Sequence, residues 1–99
     1  PAEGAVPVLL QHLRDGEPWP VRKDAAAALA GIRPSTVAAV DGLAAALRDP
    51  DANVREAAAI ALREIGPAAA SAKPALEDAS GDGDGQVRAA VAGALAAIG

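Results

Sequence analysis

Asp51-Ala52-Asn53-Val54-Arg55-Glu56-Ala57-Ala58-Ala59-Ile60-Ala61-Leu62-Arg63-Glu64-Ile65-Gly66 decides the fold. Val54, Ala58, Ala61, Leu62 and Ile65 fall at i, i+4, i+7, i+8 and i+11, one apolar stripe of a helix. Asp51 stands where a side-chain oxygen caps free backbone N–H groups, and Gly66 where a helix ends. The run occurs two more times. Val21, Ala25, Ala28, Leu29 and Ile32 precede it, and Val87, Val91, Ala94, Leu95 and Ile98 follow it, with successive valines 33 residues apart. Self-similarity at a fixed period of this size marks a stack of like units.

Pro1, Pro34 and Pro67 keep the same period, which divides one domain, 1–99, into units 1–33, 34–66 and 67–99. Each unit reads as helix, turn, helix. The first helices carry Val6, Leu9, Leu10 and Leu13, then Val37, Val40, Leu43 and Leu47. The third keeps only Ala72, Leu76 and Ala79, with Ser80 where Leu47 stands, and is the weakest of the set. Asp84 repeats the cap of Asp51, whereas Pro18 holds that place in unit one, within the turn Gly16-Glu17-Pro18-Trp19-Pro20. The fold class is therefore all-α, three helix-turn-helix repeats and six helices.

Composition agrees with a helical stack. The chain is 52 % hydrophobic but 1 % aromatic, so alanine supplies much of the apolar content. Alanine is the best helix former, and its small side chain lets helices approach closely. A net charge of −4 disfavours a surface that tracks phosphates, so nucleic acid is not an expected partner. The absence of cysteine excludes disulfides and thiolate metal sites. No uncharged apolar run is long enough to span a bilayer, and Pro1-Ala2-Glu3-Gly4 has no basic leader region. A cytoplasmic protein without a membrane partner is expected.

From Leu47 to Gly66 the pattern Leu-Arg-Asp-Pro-Asp-x-x-Val-Arg-x-x-Ala-x-x-Ala-Leu-x-x-Ile-Gly resembles a HEAT repeat, and its short period resembles the PBS-lyase-like (E-Z type) subgroup. The resemblance covers all three units. It implies a right-handed α-α superhelix, an α-solenoid with first helices on the convex side and second helices lining the concave side. It also implies a ladder between units, made by a turn aspartate and the arginine after valine. Asp15, Asp49 and Asp82, with Arg22, Arg55 and Arg88, occupy those positions. An arginine at a helix start can reach such a carboxylate through charge-assisted hydrogen bonds, and that fixes how units stack. The Trp-Pro insertion in unit one and Gly81-Asp82-Gly83-Asp84-Gly85 in unit three depart from the pattern.

No catalytic residue is predicted. His12 is the only histidine, and Ser35, Thr36, Ser71 and Ser80 have no base at a meaningful spacing. Asp78 to Asp84 loosely imitates the start of a calcium loop, but Ala89 stands where a bidentate glutamate is needed, so no metal or cofactor is assigned. Trp19 has two readings, a rigid contact anchor or a cover over the open end of the core. The outward side of the second helices should present Lys23, Asp24, Ala27, Glu56, Ile60, Arg63 and Glu64, then Ala89, Gly93 and Ala96.

The expected function is non-catalytic, a scaffold that holds another protein on the concave face. Trp19, Lys23, Glu56, Ile60, Arg63 and Glu64 are the candidate contact residues. The alternative implied by the resemblance is an accessory chain or fragment of a bilin-lyase-like or other repeat-bearing enzyme assembly. The outer surface of unit three, small-chained and with little charge, also predicts end-to-end self-association or contact with the remainder of a longer protein, since terminal repeats need a polar outer face.

Overall fold

The computed structural model of the protein describes residues 4–14 and 16–99. In chain order the elements are α1 (Ala5–His12), α2 (Trp19–Ala30), α3 (Val37–Ala46), α4 (Ala52–Ile65), a 3-10 segment (Gly66–Ala72), α5 (Lys73–Ala79) and α6 (Gly85–Ile98). The described residues contain no strand. α1 packs on α2, α3 on α4 and α5 on α6, while α4 lies between α2 and α6 and makes the most extensive contacts. The principal extents are 35 × 29 × 16 Å. Two helix layers, spaced by the usual 8–10 Å, account for the shortest of them. None of the described helices is long and apolar enough to cross a membrane.

The helix starts follow local chemistry. Asp51 Oδ1 accepts the Asn53 N–H at 2.8 Å, and Asp84 Oδ1 accepts those of Gln86 and Val87 at 2.8 and 3.0 Å. Each carboxylate thus pairs N–H groups that the first turn cannot satisfy internally and sits at the positive end of the helix dipole. α2 has Pro18 at this position and no side-chain cap. Thr36 caps α3 by accepting the Ala39 N–H at 3.1 Å, a role its sequence neighbourhood had not suggested. Gly66 ends α4 at φ 73°, a conformation glycine adopts without the Cβ penalty other residues meet.

Two elements differ from the reading of the sequence. Trp19 and Pro20 belong to the first turn of α2 rather than to the preceding loop. Proline tolerates that position because its missing N–H has no intrahelical partner there anyway. The first helix of unit three is broken, with Ala69 at φ −94°, ψ 17° and a regular helix only from Lys73. Pro74 explains where α5 begins: in the interior of a longer helix its ring would clash with the carbonyl four residues back. The Arg33–Pro34 bond is cis.

The core is built from alanine with leucine and valine at its centre. Leu29, Leu43, Leu62, Leu76, Val54, Val87 and Val91 are its largest fully buried side chains. Val37 was expected among them and is instead 75 % exposed. It is the first residue of α3, and Ala39 with Val40 carries the inward face. Ala28 is another correction: it is exposed, whereas Ala61 and Ala94, one and two periods later, are sealed. α2 has α4 on one side and no helix of the central layer on the other, so the same helical position changes environment.

Candidate functional site

The first constellation to consider is the ladder. Arg22 donates from Nε to Asp49 Oδ2 at 2.8 Å and from Nη2 to Asp49 Oδ1 at 2.9 Å. One unit later Arg55 donates from Nε to Asp82 Oδ2 at 2.9 Å and from Nη2 to Asp82 Oδ1 at 3.3 Å. The third nitrogen of each fork turns back to its own loop, Arg22 Nη1 to Glu17 O and Arg55 Nη1 to Asp49 O. Arginine suits this task because its planar fork grips a carboxylate with two parallel bonds and keeps a donor for a carbonyl. Each aspartate also accepts a local N–H, Asp49 from Asp51 and Asp82 from Asp84, both at 2.9 Å. Asp15 lies outside the described residues. Arg88 donates from Nη1 to Asp82 O at 2.7 Å.

Electrostatics follow from these bonds. Burial pushes the Asp49 carboxyl up, but the Arg22 fork, the Asp51 N–H and the charges of Arg22 and Arg55 outweigh it and hold the group below its ordinary value. Asp82 is lowered mainly by the Asp84 N–H and then by the Arg55 fork. Each carboxylate accepts three N–H donors, two of them from the arginine of the neighbouring unit. The ladder is therefore a device for spacing units and offers nothing to a ligand.

Arg33, which sequence reasoning missed, adds a second tie between units. Its Nη1 donates to Ala30 O at 2.6 Å and its Nη2 to Glu64 O at 3.2 Å, bridging the ends of α2 and α4. Carbonyls at a helix C-terminus lack intrahelical donors, and a cation there also meets the negative end of the dipole. An arginine placed just after a helix end was the available signal.

The surface between α2 and α4 is where candidate contact residues converge. Lys23 and Ala27 from α2 face Asn53, Glu56, Ala57, Ile60, Ala61 and Glu64 from α4 across a groove of about 240 Å³. Its floor is alanine and isoleucine, and its rim carries one cation and two carboxylates. The helical period produces this: Glu56, Ile60 and Glu64 lie four apart, one above another on α4. Two candidates are elsewhere. Arg63 lies along α6, where a Cβ on Gly93 would come 3.3 Å from its Cδ, so it covers the α4/α6 step. Trp19 is 41 % exposed at the start of α2 and does not line the groove.

A larger cavity, about 460 Å³, lies between α1 and α3 and includes Leu10, Arg14, Gly42, Arg48 and Asp49 in its lining. It is a packing seam: a Cβ on Gly42 would come 2.4 Å from Leu10 Cδ2, and Asp49 is already taken by Arg22. The α2/α4 groove is the better candidate because its rim charges are not engaged with one another; no salt bridge joins Lys23, Glu56 or Glu64 among the described residues.

Comparison with known proteins adds two findings. A family model described as HEAT repeats matches residues 6–96. No curated protein matches the chain.

Proposed function

The chain belongs to the HEAT-repeat family, whose members generally mediate protein–protein interaction, and on that premise we propose that it is a scaffold module which holds a protein segment in the α2/α4 groove. In this reading the units 1–33, 34–66 and 67–99 form one right-handed solenoid with α2, α4 and α6 lining its concave side. The observation that carries the proposal is the meeting of Lys23, Glu56, Ile60 and Glu64 around one apolar-floored groove. An apolar floor with a charged rim suits a helix or an extended segment laid against it, the floor supplying burial and the rim setting register. Binding is assigned to this groove without any catalytic step.

The test is a selection of binders from a random peptide library, followed by chemical-shift mapping of the selected peptides on the isotope-labelled protein. Shifts should cluster on Lys23, Ala27, Asn53, Glu56, Ile60 and Glu64, and Ile60→Glu should abolish them while helix content stays unchanged. Perturbations confined to α1 and α3, with Ile60→Glu binding as well as the unsubstituted protein, would show the groove assignment to be wrong.

A further inference from the structure

We propose that the occupant of the α2/α4 groove is an amphipathic helix of a partner protein, with two cations eight residues apart, one over Glu56 and one over Glu64, and apolar side chains between them. This rests on the groove assignment above and adds the conformation and the charge of what is held. The floor decides the conformation. It is made by Ala27, Ala57, Ile60 and Ala61, and along their middle turns α2 and α4 spend their backbone N–H and C=O groups on their own helical bonds. An extended segment laid there would press its own N–H and C=O groups against alanine and isoleucine, where they find no partner. Among the lining side chains only Asn53 offers both a donor and an acceptor. A helix arrives with its backbone bonds already made, and the alanines let its axis come close.

The walls decide the charge. On α4 the carboxylates of Glu56 and Glu64 stand 64 − 56 = 8 residues apart, about 12 Å along the axis, with Ile60 between them. The positions one period earlier on α2 are Lys23, Ala27 and Gly31. Lys23 therefore stands at the level of Glu56, and α2 sets no cation at the level of Glu64. Two nearby arginines are committed elsewhere. Arg63 lies along α6 over Gly93. Arg33 gives its donors to Ala30 O and Glu64 O, where it offsets the negative ends of two helix dipoles. Neither Glu56 nor Glu64 makes a salt bridge among the described residues. The groove thus offers two unengaged carboxylates along one wall and one cation on the other. Cations two turns apart on a docked helix meet the first pair, and Lys23 repels a cation on the α2 side, which fixes which flank is basic. The net charge of −4 draws such a segment in.

The probe is a synthetic helix of about 15 residues, with arginines eight apart on one face, leucines between them on that face, and alanine and glutamine elsewhere. A second peptide has glutamates for the arginines. A third keeps the arginines and carries a proline on the outer face, which breaks the helix. Fluorescence anisotropy of each labelled peptide, titrated with the whole chain at low salt, should show the arginine helix binding tighter than either of the others by about tenfold. Its chemical-shift footprint should include Glu56, Ile60 and Glu64. Glu56→Gln with Glu64→Gln should leave circular dichroism unchanged and erase the advantage over the glutamate peptide. An arginine helix that fails to bind, that binds no tighter than the other two peptides, or that binds the double variant equally well overturns the proposal. The two readings fail separately. Library peptides that map to the groove but are extended or acidic leave the groove assignment standing and sink this inference, whereas arginine-helix binding that survives Ile60→Glu overturns both.

Discussion

Asp49 and Asp82 make the same bonds at different depths, and substituting each with alanine separates the effect of depth from that of bonding. The Arg22 and Asp49 side chains are 9 % and 2 % exposed, those of Arg55 and Asp82 20 % and 11 %. Asp49→Ala leaves the Arg22 guanidinium buried without its counter-charge, and removing one member of a buried pair costs about 3–5 kcal/mol. Asp82→Ala leaves Arg55 closer to water, which can solvate the freed donors, and about 1–2 kcal/mol is expected. For a domain whose whole stability is of order 5–15 kcal/mol, the first loss is a large share. In urea, with a slope of roughly 1.5 kcal/mol per molar, it lowers the unfolding midpoint by roughly 2–3 M, against about 1 M for the second. The assay is urea unfolding followed by circular dichroism on both variants and on Arg22→Met with Asp49→Leu. The double variant should regain most of the loss, because an apolar pair needs no desolvation of charge. Equal costs for Asp49→Ala and Asp82→Ala, or a cost below about 1 kcal/mol for the first, would refute the reasoning that burial sets the strength of the ladder.

Three more outcomes follow from the same geometry. Both ladder carboxyls titrate below their ordinary value of 3.8 in the folded protein, so the stability they contribute is complete above that value and is lost as pH falls through their lowered range; urea midpoints measured against pH should drop in acid, and Asp49→Asn should shallow that drop. Gly66→Ala forces a Cβ onto a residue at φ 73° and should cost about 1–3 kcal/mol, read as a lowered melting temperature; an unchanged melting temperature would mean that the α4 terminus relaxes freely. Arg48 and Asp78 pair at 3.5 Å with side chains 78 % and 72 % exposed, so Arg48→Ala should change stability by less than about 0.5 kcal/mol in the same urea assay.

Much of the candidate groove was legible because it depends on helical period alone. Lys23, Glu56, Ile60 and Glu64 lie on the outward side of helices whose inward side is marked by Val54, Ala58 and Leu62, and knowledge of one face supplies the other. Arg63 shows where that reasoning stops. It shares the outward side, yet it lies on α6 because Gly93 leaves room there, and no pattern within α4 records what the next helix presents. Arg33 was missed for a related reason, since its acceptor Glu64 O belongs to another unit.

The sequence by itself determined the all-helical class, the period of 33, the caps at Asp51 and Asp84 and the glycine stop at Gly66. All of these rest on contacts within a few residues, where side-chain chemistry and helical geometry suffice. Only the tertiary structure decided which alanines are core and which are surface. Ala28, Ala61 and Ala94 are the same residue at the same step of the repeat, yet one is exposed and two are sealed. It also decided that Arg22 and Arg55 reach forward to Asp49 and Asp82, while Arg88 donates to Asp82 O. Burial and ion pairing are properties of the neighbour a helix receives, and a repeated sequence places identical residues beside different neighbours at its ends.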